Sequence, residues 1–175
     1  MTVVKPRTTD AGRDSLRAWL RLLACTSLVE REVRSRLRDQ FGTTLPRFDV
    51  LAQLDAAARD DEPRLTMTEL SRRLMVTNGN LTALIERLVR ERLVIRNTSP
   101  SDRRTQIVRL SPAGKRALEA MTPAHESWIE SMFSGLSHVE RTRLYELLGK
   151  LRGSLRGTLD KQQSVGRATP AEAIP

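Results

Sequence analysis

Two clusters of polar and cationic residues hold the groups that could do chemistry in this sequence. The first is rich in amides, hydroxyls and small side chains, and the second places two arginines beside a carboxylate. The first cluster consists of Thr77, Asn78, Gly79, Asn80, Thr82, Ala83 and Arg87. The second consists of Asp102, Arg103 and Arg104. An Asn amide can form two hydrogen bonds with adenine, a Thr methyl can meet the methyl of thymine, and an arginine suits a narrow minor groove. The residue types in these two clusters indicate noncovalent recognition of base edges and phosphates.

The first cluster requires a helix to position it. Four apolar residues recur at the spacing of one helical face, namely Leu81, Leu84, Ile85 and Leu88. Gly79 and Ala83 lie opposite that stripe, so the outward face is small enough to approach a groove floor. Thr77 is the predicted N-cap, and a helix N-terminus favours a phosphate. The alternative is an ordinary surface helix with a glycine near its start.

A second, shorter helix is predicted directly before it. Thr66 and Glu69 have the spacing of a capping box, in which each side chain accepts a hydrogen bond from a backbone N–H. Leu65 and Leu70 flank the box as a hydrophobic staple. This helix should end near Met75, and the turn that follows gives a helix-turn-helix.

The second cluster requires a hairpin. The β-branched runs 93–96 and 105–110 predict two short strands, and residues 97–104 predict a polar loop between them. We expect a third short strand at about Arg64–Leu65. Asp102 is close enough in sequence to hold the guanidinium of Arg104 in one direction. The alternative interpretation of this tip is a solvated sheet edge.

The segments ELSRRLMVTNGNLTALIERLVRERLVIR and SPSDRRTQIVRLSPAGK resemble the MarR family of bacterial transcriptional regulators. The Asp-x-Arg wing and the Leu-Ser-Pro-x-Gly after it are the most specific parts, and the resemblance covers about residues 14 to 158. It implies a mainly α-helical winged helix-turn-helix protein with a small β-hairpin wing. It also implies a homodimer, joined by its first and last helices, whose affinity for a palindromic operator in double-stranded DNA responds to a small molecule.

The net charge and its distribution along the chain favour a DNA partner. The net charge is +9, and residues 64–116 hold twelve Arg and Lys but four Asp and Glu. Positive charge clustered in one module indicates a polyanion, and the sequence has neither a long apolar segment nor a lipidation motif that would suggest a membrane. We expect a cytoplasmic protein without signal peptide, metal, cofactor or enzymatic activity. No nucleophile and base stand at interpretable spacing, and one Cys and two His give no metal-ligand pattern.

The flanking helices predict the organisation of the chain. Apolar residues on more than one face of the first helix, and a leucine stripe from Leu144 to Leu155 on the last, indicate burial against a partner. We expect Thr122-Pro123 to kink or restart the fifth helix. The predicted parts are a mobile tail over 1–12, dimerisation helices over 13–45 and 111–159, a DNA-binding domain over 46–110 and a disordered tail over 160–175.

The family resemblance also implies an effector crevice between the dimerisation helices and the DNA-binding heads. Its predicted walls combine arginines with aromatic and imidazole rings, namely Arg17, Trp19, Arg21, Arg47, Phe48, His125 and Trp128. Such a set suits an aromatic acid or its coenzyme A thioester, and the first two helices resemble family members of aromatic catabolism. These rings could instead be core residues, and Arg47 could contact a phosphate.

The predicted function is therefore a homodimeric repressor that a small aromatic ligand releases from its operator. Two alternatives remain open. One is a redox-responsive regulator acting through Cys25, although its apolar neighbours predict a plain buried thiol. The other is a DNA-binding protein without a ligand.

Overall fold

The computed structural model describes residues 10–59, 64–100 and 102–167. Its elements in chain order are α1 (Asp10–Phe41), α2 (Leu45–Arg59), β1 (Leu65–Thr66), α3 (Met67–Leu74), α4 (Asn78–Arg90), β2 (Val94–Thr98), β3 (Gln106–Leu110), α5 (Pro112–Met132) and α6 (His138–Arg167). The predicted mainly helical fold with a small antiparallel sheet is confirmed. The chain divides into two compact units, Met1–Ile129 and Glu130–Pro175, so their boundary falls inside α5.

The core of the first unit is aliphatic. Its fully buried side chains come from α1, α2, α3, α4 and the sheet, and include Leu37, Leu51, Leu54, Leu70, Leu81, Ile85, Leu88, Val94 and Val108. Helix α2 packs against α3 and β3, and α4 packs against α3 and β2. Truncation of one of these leucines to alanine typically costs about 2–5 kcal/mol, because the cavity relaxes incompletely. This core anchors α4 against α3 and β2.

The sheet has the strand order β1-β3-β2, and both pairings are antiparallel. Strand β1 is the third strand that the sequence predicted, with Leu65 opposite Val108 and Thr66 opposite Ile107. Thr66 is also the N-cap of α3. Its hydroxyl accepts a hydrogen bond from the backbone nitrogen of Glu69 at 3.2 Å, and the Glu69 carboxylate accepts one from the backbone nitrogen of Thr66 at 2.8 Å. The capping box is therefore confirmed.

The sheet joins α5 through a tight contact. The Ser111 hydroxyl donates to the carbonyl of Arg92 at 2.7 Å and accepts from the backbone nitrogen of Gly114 at 2.9 Å. A β-carbon on Gly114 would lie 1.9 Å from the carbonyl oxygen of Leu93. Glycine is therefore required where the start of α5 crosses the chain entering β2.

Helix α5 continues through Pro123 rather than restarting there. Proline removes the N–H that would bond the carbonyl four residues earlier, that of Glu119. The hydroxyl of Thr122 donates to the neighbouring carbonyl of Leu118 at 2.9 Å, which keeps this turn hydrogen-bonded.

The first half of α1 differs from expectation in exposure. Within the single chain only Val33 and Leu37 of α1 are buried, and Cys25, predicted as a buried thiol, is exposed. The reason is that Cys25 lies in the half of α1 where large apolar side chains are left uncovered, namely Leu16, Trp19, Leu20, Leu22, Leu23 and Leu28. Helix α6 likewise exposes Tyr145, Leu147, Leu148, Leu151 and Leu155.

The two terminal helices extend into the segments for which tails were predicted. Helix α1 begins at Asp10 and α6 continues to Arg167. Asp10 adds a carboxylate in the first turn of α1, where the helix dipole favours negative charge. The remaining parts of those tails (1–9 and 168–175), the acidic segment 60–63 and residue 101 lie outside the described residues.

Candidate nucleic-acid interface

The exposed start of α4 holds the first polar cluster. Thr77 has extended backbone angles, and its hydroxyl accepts from the backbone nitrogen of Asn80 at 3.5 Å, so the predicted N-cap is confirmed. Asn78, Gly79 and Asn80 are exposed in the first turn. A β-carbon on Gly79 would meet no atom within 4 Å, so this glycine leaves open space above the helix.

The rest of the outward face of α4 is small near its start and cationic near its end. Thr82, Ala83 and Arg87 are exposed, whereas Leu81, Ile85 and Leu88 on the opposite face are fully buried. The Thr82 hydroxyl donates to the carbonyl of Asn78 at 2.8 Å. Because that bond occupies the hydroxyl hydrogen, Thr82 offers chiefly its methyl group, the group suited to a thymine methyl.

The wing turn places the second cluster. The Asp102 carboxylate accepts from the backbone nitrogen of Arg104 at 2.9 Å and from the Thr105 hydroxyl at 2.7 Å. The prediction that Asp102 holds the Arg104 guanidinium was wrong, because the nearby backbone N–H and hydroxyl satisfy the carboxylate instead. These two bonds hold the pKa of Asp102 below its ordinary value. Arg103 and Arg104 are both exposed at the tip.

The wing is anchored below that turn. The backbone nitrogen of Ser99 donates to the carbonyl of Thr105 at 2.8 Å, and the Gln106 amide donates to the Thr98 hydroxyl at 3.1 Å. The cationic tip is therefore carried on a hydrogen-bonded hairpin. An exposed amide-rich helix start and an exposed cationic hairpin tip belong to one compact unit.

Arg47, predicted as an effector contact, forms an ion pair with Glu91, a residue that the sequence did not point to. Its guanidinium makes two hydrogen bonds to the Glu91 carboxylate, with Nη1 donating to Oε1 at 2.8 Å. The Arg47 side chain is 19% exposed and that of Glu91 38%. The hydrogen bond from Arg47 is the main reason why the pKa of Glu91 is lowered. The pair joins the first turn of α2 to the end of α4.

Three of the predicted effector residues do come together. The rings of Phe48 and His125 lie 4.6 Å apart between centroids, and those of His125 and Trp128 lie 6.3 Å apart. Phe48 and Trp128 are buried, and desolvation lowers the pKa of His125. Two residues that were not predicted complete this aromatic cluster: Phe41 packs near Trp128, and the Arg36 guanidinium lies 5.8 Å from the centre of the indole.

The predicted effector residues of α1 lie elsewhere. Arg17 pairs with Asp14 at 3.5 Å, Trp19 is 55% exposed, and Arg21 is exposed. In residues 10–59, 64–100 and 102–167, no hydrogen bond, ion pair or ring contact joins them to the aromatic cluster. The structure therefore brings together Phe48, His125 and Trp128 but not Arg17, Trp19 and Arg21.

Other kinds of site find little support in the described residues. No group of His, Cys, Asp and Glu there could hold a metal ion. None of the helices in that part of the chain is long and apolar enough to cross a membrane.

Helices α3 and α4 with the three-stranded sheet define a winged helix-turn-helix protein. A model of the MarR family matches residues 41–105. An uncharacterised HTH-type transcriptional regulator of Bacillus cereus is 31% identical over 134 residues, which are 76% of this chain and 85% of that protein. The chain therefore belongs to the MarR family of transcriptional regulators.

Solved structures agree with this assignment. AbsC, a MarR family transcriptional regulator from Streptomyces coelicolor, superposes with a TM-score of 0.73 at 25% identity, covering 87% of this chain and 99% of AbsC. Sco3205, a MarR family regulator of the same organism solved in complex with DNA, also gives a TM-score of 0.73 at 25% identity, covering 86% of this chain and 92% of Sco3205.

Proposed function

We propose that the protein is a homodimeric repressor that reads a palindromic operator in double-stranded DNA through α4 and the wing. The observation that carries the proposal is the exposed face of α4, which places amides, a methyl and a glycine opposite the fully buried residues Leu81, Ile85 and Leu88. Asn78, Asn80, Thr82 and Ala83 would contact base edges. Thr77, Arg87, Arg103 and Arg104 would contact phosphates or the minor groove, with Asp102 shaping the turn.

The exposed apolar surfaces of α1 and α6 support the homodimer. Trp19 and Leu23 of α1 and Leu147 and Leu151 of α6 are each about half exposed in the single chain. Apolar helix faces of this extent favour association. A twofold dimer would place two α4 helices about one DNA turn (~34 Å) apart, which is why we expect a palindromic site. Light scattering should give twice the chain mass, and a monomer at micromolar concentration would contradict the dimer.

DNA reading is tested by selection from a randomised duplex pool, followed by binding to the selected duplex and to a scrambled one. We expect an inverted repeat in the selected DNA and a preference of about 10³-fold or more over the scrambled duplex. Asn80→Ala should weaken binding by about 1–3 kcal/mol and relax the preference at one base per half-site. Equal affinity for all sequences would favour the ligand-independent DNA-binding alternative.

We further propose that a small aromatic acid or its coenzyme A thioester lowers operator affinity. Support comes from the contact of Phe48 and His125 between α2 and α5, because a ring inserted there would alter how the DNA-binding head meets α5. The Arg36 guanidinium beside Trp128 already donates to the Glu32 carboxylate at 2.7 Å, so a ligand carboxylate would share or displace that contact. Arg17, Trp19 and Arg21 remain in this proposal because the dimer would cover their half of α1.

The effector test adds benzoates, hydroxycinnamates and their coenzyme A thioesters to the operator complex. We expect release by one compound at micromolar concentration. Trp128→Phe should reduce that response while operator binding without ligand is retained. Release that is identical in the parent and Trp128→Phe would remove the aromatic cluster from the proposal.

The redox alternative has one observation in its favour, the exposure of Cys25 in the single chain. Mild peroxide followed by the binding assay, with Cys25→Ser as the matched control, separates it from ligand control. Loss of operator binding in the parent but not in Cys25→Ser would favour redox sensing.

A further inference from the structure

Arg47 and Glu91 each lie at a helix end whose dipole disfavours their charge. Arg47 lies in the first turn of α2, where a helix dipole disfavours a cation, and Glu91 is the C-cap of α4, where it disfavours an anion. Arg87 and Arg90 in the last turn of α4 offset part of the charge of Glu91, whereas the first turn of α2 has no acidic residue that would offset Arg47. Local sequence therefore does not explain Arg47, and its contact with Glu91 does.

The geometry of the pair is that of a positioning contact. Two parallel N–H···O bonds between a guanidinium and a carboxylate fix both distance and angle, as a single-point ammonium contact would not. The Arg47 guanidinium is largely withdrawn from solvent, and its Nε is buried without a hydrogen-bond partner among the described residues. Because the Arg47 side chain is mostly buried while Glu91 is 38% exposed, this pair is screened somewhat less than the more exposed helical pairs of α1, such as Arg34–Glu30.

The same turn of α2 also faces α5. Phe48, next to Arg47 in the chain, packs its ring against His125 at 4.6 Å. One turn of α2 thus holds the end of α4 through Arg47 and α5 through Phe48. A shift of this turn relative to α5 would be transmitted to α4 as a change of its tilt.

We propose that Arg47 and Glu91 are positioning residues that set the angle of α4 for DNA reading, although Glu91 lies at the end of α4 remote from the base-reading amides. This inference rests on the proposed role of α4. In this inference Arg47 contacts the end of α4 through Glu91, and it contacts neither a phosphate nor the effector.

Glu91→Gln tests the pair, and Glu86→Gln is the matched control on the same helix. Each variant removes one carboxylate from α4, but the Glu86 contact with Arg96 is long, 4.0 Å, and exposed. Loss of a negative charge near DNA should by itself tighten binding. We expect Glu86→Gln to bind the selected operator as tightly as the parent or more tightly, and Glu91→Gln to bind it about tenfold more weakly.

A second variant distinguishes positioning from stability. The exchange Arg47→Glu with Glu91→Arg restores the pair and places each charge at the helix end that its dipole favours. We expect it to melt at or above the temperature of Glu91→Gln and to recover operator affinity. Affinity is measured per active molecule, by stoichiometric titration, for both operator and scrambled DNA.

The possible results distinguish failure of this inference from failure of the proposed function. Selective loss of operator affinity in Glu91→Gln, with scrambled DNA bound as before and recovery in the exchange variant, supports the inference. Operator binding by Glu91→Gln that equals or exceeds that of the parent overturns it. So does an equal proportional loss on both duplexes, or a folded exchange variant without recovery. Absence of sequence preference in the parent would instead defeat the proposed function itself.

Discussion

The Asp102 carboxylate closes the wing turn by accepting the backbone N–H of Arg104 at 2.9 Å. The side chain of Arg104 is thereby left exposed at the tip, while its backbone is held. Under the proposed function, Arg104 would contribute to DNA binding in two separable ways, through its charge and through the shape of the turn that carries it.

Asp102→Ala should weaken operator binding by several-fold, although removal of a negative charge favours DNA by simple electrostatics. The physical reason is entropic, because an unbonded turn samples more conformations before the tip docks. Asp102→Asn is the control, since its carbonyl oxygen can still accept from Arg104. Tighter binding by Asp102→Ala in an anisotropy titration would show that the turn bond is not needed.

Arg104→Ala should reduce affinity for all DNA sequences and lower the slope of log Kd against log salt by about one. A wing arginine contributes mainly by releasing a counterion from a phosphate. Titrations at four salt concentrations measure the slope. An unchanged slope would mean that Arg104 remains in solvent in the complex.

Gly79→Ala should leave the free protein as stable as the parent, or more stable by up to about 1 kcal/mol, because alanine is the better helix former. The added methyl would meet open space in the free protein and the groove in the complex. We therefore expect weaker operator binding together with an unchanged or higher melting temperature. If operator binding is unaffected, the first turn of α4 does not approach the bases closely.

Gly114→Ala should behave in the opposite way. Its β-carbon would collide with the backbone carbonyl of Leu93, which cannot move without displacing the entry to β2. We expect a loss of about 3 kcal/mol in the free energy of unfolding. Urea denaturation measures it, and a stability equal to that of the parent would show that α5 can shift away from the sheet without cost.

Asp49 gives a prediction about pH. Burial raises its pKa from 3.8 to about 6, with Glu30 adding to the shift and Arg34 opposing it. The folded state thus favours the protonated acid, so the stabilisation is complete below pH 4 and is lost as the pH rises through 6. Asp49→Asn should therefore raise stability at pH 7.5 by roughly 1 kcal/mol, a value discounted for partial solvation, and should give no gain at pH 3.5. Melting curves of both proteins at the two pH values provide the comparison; an equal difference at both would exclude the titration of Asp49.

The helix-turn-helix could be predicted from sequence because its determinants are local. The capping box of Thr66 and Glu69, the N-cap Thr77 and the stripe of Leu81, Ile85 and Leu88 each involve residues within two turns of one another. The wing strands and the additional strand at Leu65 could be predicted for a similar reason, since alternation and β-branching act over a few residues.

Two contacts could not be predicted from the sequence. One joins residues that are far apart in the chain, and the other depends on which of two donors binds a carboxylate. Arg47 finds Glu91 across 44 positions, and no pattern in either helix specifies that partner. The available signal was Arg47, a cation in the first turn of α2 with no acidic residue in that turn to offset it. Asp102 illustrates competition: a backbone N–H two residues away was a nearer donor than the guanidinium that we expected it to bind.

Thr66 belongs to two elements at once, as the last residue of β1 opposite Ile107 and as the N-cap of α3. The sheet and the helix-turn-helix therefore share a residue rather than a linker. Under the proposed function, a change in the angle of α4 during evolution would therefore also move the wing. Replacement of exposed side chains such as Asn78 and Asn80 would disturb no buried contact, so a new sequence preference could evolve at the surface while the fold stays unchanged.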